Sequence, residues 1–207
     1  MKVLIINGSP HEDGTTRTAL REAEKILQAE GVETEVIRVG GRPISGCLGC
    51  GHCRKTKSGC VMNDAVNEVA AKLKEADGLI IGSPVYYASP NGTLIAFLDR
   101  LFYSANYDMS MKVGAAVVCA RRGGCTAAFE VLNKYFAISG MPIAPSIYWN
   151  QVHGAVAEDA LLDEEGLATM RMLAKNMAFL MKSIALGKEK FGLPEKEPKA
   201  RTNFIRR

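Results

Sequence analysis

Residues 7–17 bring glycine, hydroxyl and basic side chains together directly after a short apolar run. The run, residues 3–6, is typical of a strand that is buried on both faces, and an amphipathic helical pattern begins near Thr18. A loop between a strand and a helix N-terminus offers free backbone N–H groups and the positive end of the helix dipole, so it suits an anion. The candidate ligands of that anion are Ser9, His11, Thr15, Thr16 and Arg17.

The kind of anion follows from the patterns that this loop lacks. It has neither the Gly-Lys-Ser/Thr ending of a triphosphate-binding loop nor the G-x-G-x-x-G pattern of a dinucleotide-binding turn. Hydroxyl groups with little glycine suit a single terminal phosphate, such as that of FMN. An ordinary turn between a strand and a helix, with a threonine as the N-cap, is the alternative.

A second group of reactive side chains consists of four cysteines in the pattern Cys-x2-Cys-x2-Cys-x6-Cys. Three thiols two residues apart can wrap one compact loop around a metal cluster, and a fourth can close it. Tetrahedral zinc fits less well, because its sites usually combine two separated cysteine pairs. A structural or redox-active thiol loop without metal is the other interpretation. The candidate ligands are Cys47, Cys50, Cys53 and Cys60.

The segment Ser83–Ala88 follows another apolar run and contains one proline and two tyrosines. An isoalloxazine ring needs a flat apolar slot with some backbone N–H groups at its polar edge, and this segment can provide one. The alternative is a turn whose tyrosines pack on neighbouring helices. Because both loops follow buried strands, we expect them at the same edge of a sheet.

Strands and helices alternate along the whole chain. We expect strands at 3–6, 33–39, 79–81, 113–120 and 143–149, and helices at 18–29, 64–76, 91–103, 126–139 and 163–186. Such alternation predicts an α/β fold with a parallel sheet and helices on both faces, and ligands bind beyond the carboxyl ends of its strands. We expect one domain, residues 1–187, followed by a charged tail, 188–207, in which Phe204 and Ile205 could anchor on this or a neighbouring subunit.

Composition narrows the class of protein further. The 207 residues are 47% hydrophobic and 23% charged, as in ordinary soluble globular proteins. The net charge of +4 is too small and too scattered to indicate nucleic-acid binding. No apolar run is long enough for a signal peptide or a membrane span, so we expect a cytoplasmic protein with reduced thiols and no membrane partner.

Three short motifs together resemble the flavodoxin-like NADPH-dependent FMN reductases: Asn-Gly-Ser-Pro at 7–10, Ser-Pro-Val-Tyr at 83–86 and Phe-Leu-Asp-Arg at 97–100. The resemblance covers about residues 1–150. It implies a flavodoxin-like three-layer sandwich with a five-stranded parallel sheet in the order 2-1-3-4-5, and a homodimer or homotetramer. It also implies a flavin site, with the phosphate on Ser9, His11, Thr15 and Thr16, the ring on Pro84, Val85, Tyr86 and Tyr87, and the glycine pair Gly123 and Gly124 beside the flavin.

The cysteine spacing resembles one branch of that family, the iron–sulfur flavoproteins. This resemblance implies a [4Fe–4S] cluster beside FMN, which relays single electrons to or from a ferredoxin-like partner. Flavodoxin-like reductases without a cluster also carry cysteine-rich loops, so the spacing leaves both interpretations open.

Two functions follow from these features. The first is an FMN-dependent oxidoreductase that takes electrons from NAD(P)H and passes them to a small acceptor such as a flavin, a quinone or a nitro compound. It requires no catalytic side chain, because the flavin carries the chemistry. The alternative is an iron–sulfur electron carrier that exchanges single electrons with a ferredoxin-like protein.

Overall fold

The computed structural model describes residues 1–198 together with 202 and 204. The strands are β1 (Lys2–Asn7), β2 (Glu33–Arg38), β3 (Gly78–Tyr86), β4 (Ser89–Pro90), β5 (Val113–Ala120) and β6 (Gln151–His153). The helices are α1 (Thr15–Ala29), α2 (His52–Thr56), α3 (Ala65–Glu75), α4 (Gly92–Ser104), α5 (Cys125–Ile138), α6 (Ala157–Leu162) and α7 (Glu164–Phe191).

The parallel strands lie in the order β2-β1-β3-β5-β6, and the two-residue β4 pairs antiparallel with the end of β3. With β4 set aside, this is the predicted order 2-1-3-4-5, which is confirmed. β1 pairs with β2 on one side and with β3 on the other, so its carboxyl end lies at the point where the strand order reverses. Ligands of doubly wound sheets bind at such a point.

The sheet is covered on both faces by apolar clusters. Val3 and Ile5 face a cluster that includes α1 and α7, whereas Leu4 and Ile6 face a cluster that includes α3, α4 and α5. All four side chains are fully buried, which confirms that β1 is a strand enclosed on both sides. Strand β5, between β3 and β6, is likewise buried along its whole length. The three-layer architecture is therefore the predicted one.

The position of the last strand was predicted wrongly. Residues 143–149 form a single bridge, Gly114 to Ile143, and then a turn, whereas the strand β6 begins at Gln151. Pro145 lacks the N–H that a strand interior needs. The Ser146 hydroxyl group donates 2.6 Å hydrogen bonds toward the Tyr148 carbonyl and the Asn150 side chain, which closes the turn.

Helix ends also differ from the prediction. The first helix begins at Thr15, three residues early, and the last continues through Gly187 to Phe191. One glycine inside a long helix costs only about 1 kcal/mol, and Gly192, with φ +75°, ends the helix instead. The short elements α2, α6 and β4 were not predicted. Among the described residues, no helix has the length and apolar character that a bilayer span requires.

The predicted anchor in the tail concerned two residues. Phe204 is exposed, and Ile205 lies outside the described residues. The proposal that this pair anchors the tail therefore stays a prediction.

Candidate functional site

The loop after β1 is shaped by its own hydrogen bonds. The buried Asn7 side chain accepts a 2.9 Å bond from the Ser9 N–H, and the Ser9 hydroxyl oxygen accepts a 3.1 Å bond from the His11 N–H. Helix α1 then begins after Gly14 without any side-chain cap. The amide groups of its first turn are the donors that helix N-termini offer to anions. That they bind a phosphate stays a prediction.

The predicted phosphate ligands differ in their surroundings. The Thr15 hydroxyl group donates to the carbonyl groups of Gly154 and Val156, at 3.1 and 3.2 Å. The Thr16 side chain is buried, at 2% exposure. The Thr15 hydroxyl group thus binds the protein itself, whereas the backbone amides of both residues lie at the helix start.

The basic candidates also differ in their partners. One Arg17 nitrogen pairs with Glu24 at 2.9 Å, and its other terminal nitrogen is buried without a hydrogen-bond partner among the residues that the structure describes. His11 is exposed at the rim of the loop. Arg17 therefore keeps an unused buried donor beside the start of α1.

The tyrosine segment forms a tight hairpin that sequence reasoning did not anticipate. Strand β3 continues to Tyr86, which pairs with Ser89, so Tyr87 and Ala88 form a two-residue turn. Both turn residues have positive φ, 50° and 59°, as the favoured hairpin turns require. Non-glycine residues rarely adopt this conformation, and such strain is common at ligand sites. The turn leaves the Tyr87 side chain fully exposed.

Of the glycine pair after β5, Gly124 packs directly on this hairpin. Gly124 has φ +94°, and a Cβ atom built on it would lie 3.0 Å from both the Val85 side chain and the Ala88 backbone. Gly123 is exposed and has no atom within 4 Å of an added Cβ. The contact brings Gly124 against Val85 and Ala88. The assignment of these residues to a flavin ring stays a prediction.

A third turn packs against the loop that follows β1. A Cβ atom on Gly40, just after β2, would lie 2.1 Å from the Gly8 carbonyl oxygen and 2.4 Å from the Ser9 carbonyl carbon. The Gly8 N–H in turn donates a 2.8 Å bond to the Gly82 carbonyl group. The carboxyl ends of β1, β2 and β3 are thus locked together. Gly40 was not among the predicted site residues, and its role depends on contacts between distant parts of the chain.

The four predicted cluster ligands line one pocket. None forms a disulfide: Cys47 and Cys50 are exposed, Cys60 is half-buried and Cys53 is buried. Among the described residues, no three His, Cys, Asp or Glu side chains converge as a single metal ion would require. A cluster spreads its thiolates farther apart than one ion does. The other side chains that line this pocket are mostly apolar, together with two polar ones: Leu48, Val61, Met62, Tyr103, Arg100 and Ser104. This donor set suits a thiolate-bound cluster.

Arg100 connects the cysteine pocket to helix α4. Its side chain is only 1% exposed, and it forms a two-bond pair with Asp64, at 2.6 and 2.9 Å. It also donates to the Cys60 sulfur, at 3.2 and 3.3 Å, and to the Ser45 carbonyl oxygen, at 3.2 Å. Arg100 belongs to the Phe-Leu-Asp-Arg motif, so the sequence marked it without revealing what it binds.

The charges of this pair are mutually stabilising. Burial raises the pKa of Asp64, but hydrogen bonds from Arg100 and from the Val66 N–H outweigh this effect, so the pKa lies below its ordinary value. Asp64 also caps α3, as predicted, by accepting that Val66 bond at 3.1 Å. Asp64 therefore remains ionised beside the guanidinium at neutral pH.

The remaining cysteines are core residues. Burial raises the pKa of Cys119 to about 12, and burial also raises that of Cys125. Both thiols are buried and protonated at neutral pH. Neither is a candidate nucleophile.

Two aromatic residues precede β6, and His153 is its last residue. Trp149 and Tyr148 form an edge-on pair, with ring centroids 4.8 Å apart, and both are about half exposed. The His153 backbone N–H donates a 2.6 Å bond to Asp163, and the ring nitrogen Nδ1 is 3.8 Å from the same carboxylate. These contacts fix the loop beside the carbonyl groups that bind Thr15.

Comparison with known proteins bears on the family of this chain. A family model described as NADPH-dependent FMN reductase matches residues 1–155. An iron–sulfur flavoprotein of Methanocaldococcus jannaschii is 34% identical over 192 residues, which cover 89% of this chain and 99% of that protein.

Solved structures show the same fold. The structure of RosB with a bound 8-demethyl-8-formylriboflavin-5′-phosphate intermediate has a TM-score of 0.70 at 17% identity and covers 100% of this chain and 94% of its own. A flavodoxin from the domain Archaea has a TM-score of 0.60 at 17% identity and covers 88% and 99%. The predicted flavodoxin-like fold is therefore confirmed.

Proposed function

Because the chain belongs to the NADPH-dependent FMN reductase family of flavoprotein oxidoreductases, we propose that it is an iron–sulfur flavoprotein that carries FMN and a [4Fe–4S] cluster. When bound, FMN supplies one- and two-electron redox chemistry and the cluster supplies single-electron transfer. The protein then passes electrons between a donor and a second acceptor.

The observation that carries the proposal is the pocket shared by the four cysteines beside a buried guanidinium. Free thiols that serve only as structure do not need a charged hydrogen-bond donor at one sulfur, whereas a ligating thiolate benefits from one. The iron–sulfur flavoprotein from M. jannaschii, which matches almost over its full length, supports the same branch. The pocket and the relative together favour the iron–sulfur flavoprotein over a reductase that lacks a cluster.

On the flavin side, the backbone amides of the first turn of α1 would bind the phosphate, and Ser9 would shape the loop that leads to them. The Tyr86–Tyr87 hairpin and the Gly123–Gly124 turn are neighbours in the structure, so they would border the ring together. A rigid, partly apolar slot orients the ring and limits water at its inner face. These residues bind and orient, and none is assigned a proton transfer.

On the cluster side, Cys47, Cys50, Cys53 and Cys60 would supply the thiolates. Cys53 is buried, whereas Cys47 and Cys50 face solvent. An exposed side of the cluster is where a protein partner could approach, and a ferredoxin-like protein is the partner class we propose.

The decisive experiment is anaerobic purification followed by an absorbance spectrum and assays of iron, acid-labile sulfide and flavin. We expect one FMN and about four iron and four sulfide per chain, with broad visible absorbance that dithionite bleaches. The matched variant Cys60→Ser should lose iron and sulfide but keep FMN. Wild-type protein that contains FMN but takes up no iron on reconstitution would contradict the cluster.

A second candidate function is oxidation of NAD(P)H by the bound flavin, for which the description of the matching family is the supporting observation. Rapid bleaching of the flavin by NADPH in the iron-free Cys60→Ser variant would favour it. Flavin, quinone or nitro compounds are the acceptors we propose for that case. Flavin that stays oxidised under excess NADPH and NADH would exclude this function.

A further inference from the structure

We propose that Arg100 is a positioning residue for the cysteine loop and sets the reduction potential of the metal cluster through its contacts with Cys60. This inference rests on the proposed function, because it assumes that Cys60 ligates a cluster. It goes beyond that function by assigning a role to a side chain that is not a ligand.

The first argument is the way that Arg100 divides its donors. One edge of its guanidinium faces the Asp64 carboxylate, while Nε and one terminal nitrogen lie 3.3 and 3.2 Å from the Cys60 sulfur. A planar fork can serve two acceptors in this way, but a lysine ammonium cannot keep the same geometry. Arg100 is therefore suited to hold a charged sulfur and a carboxylate at once.

The second argument is the cost of the arrangement. Arg100 is the largest of the fully buried side chains among the described residues. Burying a guanidinium is expensive, and apolar residues of similar size often replace buried ion pairs without loss of stability. A buried charge in this position therefore indicates a role beyond packing. The pair with Asp64 does not account for the two hydrogen bonds that Arg100 donates to the Cys60 sulfur.

The third argument is that Arg100 connects both ends of the cysteine loop. It donates a 3.2 Å bond to the carbonyl group of Ser45, which precedes Cys47, and it contacts Cys60 at the far end. Helix α4, which carries Arg100, begins directly after the tyrosine hairpin. One rigid element thus joins the proposed ring slot to the cysteine loop.

The expected effect on the cluster has a definite sign. A reduced cluster carries one more negative charge, and N–H donors and positive charge at a ligand sulfur stabilise it. Arg100 should therefore raise the reduction potential. Asp64 lies on the far side of the guanidinium and partly offsets its charge, so neutralising Asp64 should raise the potential further.

The test compares anaerobically reconstituted wild-type protein with Arg100→Gln, Arg100→Lys and Asp64→Asn. Iron and sulfide per chain are measured first, and the midpoint potential of the cluster is then titrated with redox dyes and followed by electron paramagnetic resonance. Arg54→Gln is the matched control, because the guanidinium of exposed Arg54, in the same loop, lies 4.4 Å from the Tyr103 ring centroid. Among the described residues, the hydrogen bonds to the Cys60 sulfur come from Arg100 and not from Arg54.

We expect Arg100→Gln to lower the equilibrium constant for one-electron reduction of the cluster about tenfold, which lowers the midpoint potential by about 59 mV. The midpoint potential of Arg100→Lys should lie between those of Arg100→Gln and the wild type. That of Asp64→Asn should be higher than the wild-type value, and that of Arg54→Gln should equal it. If Arg100→Gln fails to fold or to hold iron, the proposal is tested by the midpoint potentials of Arg100→Lys and Asp64→Asn, which should shift in opposite directions.

Iron-loaded Arg100 and Asp64 variants with wild-type potentials would overturn the role of Arg100 alone. Equal shifts of the same sign in Arg100→Lys, Asp64→Asn and Arg54→Gln would also overturn it, because they would indicate a general disturbance of the loop. Wild-type protein without iron would instead contradict the proposed function itself.

Discussion

Gly40 lies against the phosphate loop at a distance that leaves no room for any side chain. Replacement by alanine would force the turn after β2 away from the Gly8 and Ser9 backbone, since its Cβ would start 2.1 Å from a carbonyl oxygen. We expect Gly40→Ala to lose about 1–3 kcal/mol of unfolding free energy and to bind FMN more weakly. Urea unfolding and flavin fluorescence titration measure the two effects.

The control for this change is Gly46→Ala, because an added Cβ there has no atom within 4 Å. That variant should keep wild-type stability and flavin affinity. Equal behaviour of the two variants would mean that the turn after β2 adapts freely, and the proposed coupling of the loops would be wrong.

Substitution of Ser9 tests whether the loop after β1 binds the FMN phosphate. Its side chain is almost buried and accepts the His11 N–H, which an aspartate carboxylate can also accept. A carboxylate there would face the FMN phosphate, so Ser9→Asp should weaken FMN binding at least tenfold, or by about 1.4 kcal/mol. Ser9→Asn is the neutral control of similar size. Unchanged flavin content in Ser9→Asp would contradict the assignment of this loop.

At the scale of elements, helix α3 and helix α4 are joined through Asp64 and Arg100. Asp64→Asn keeps a good N-cap for α3 but weakens the charged hydrogen bonds to Arg100. We expect it to lose roughly 2 kcal/mol of unfolding free energy near neutral pH, as typical for bonds to a charged group. Chemical unfolding of iron-free protein measures this loss, and Lys57→Gln in the same region should be neutral.

The same pair predicts a pH dependence. Because the folded-state pKa of Asp64 lies below its ordinary value of 3.8, its ionised form stabilises the folded protein. This contribution is complete above that ordinary value and is lost as the pH falls toward the lower, folded-state pKa. The stability difference between wild type and Asp64→Asn should therefore shrink below pH 3.8, and a constant difference down to the acid transition would contradict it.

At the scale of the whole molecule, the sheet separates two apolar cores. Leu173 of α7 is fully buried in the core shared with α1, while α4 and the cysteine loop belong to the opposite side. Leu173→Ala should cost about 2–5 kcal/mol of unfolding free energy without changing FMN or iron per folded chain. Leu186→Ala, at a side chain 65% exposed, should be neutral. Selective loss of iron in Leu173→Ala would show that the two cores are coupled.

The sequence predicted the parts of the molecule that depend on local pattern. Apolar runs identified β1, β3 and β5, and alternation with helices gave the sheet and its layers. The last strand was missed, because Ile143, Ile147 and Trp149 look like a strand while Pro145 and the Ser146 turn prevent one. A hydrophobic pattern does not reveal such competition with side-chain hydrogen bonds.

In the candidate site, too, local properties could be predicted and contacts between distant residues could not. The sequence by itself determined which chemical groups the carboxyl edge of the sheet can offer, because residue types and their spacing after a strand are local properties. Only the tertiary structure decided that Gly40 closes on Gly8, that Tyr87 stands on a strained turn and that Arg100 contacts Cys60. These contacts join residues far apart in the chain, and their energies depend on distance and burial, which no local pattern records.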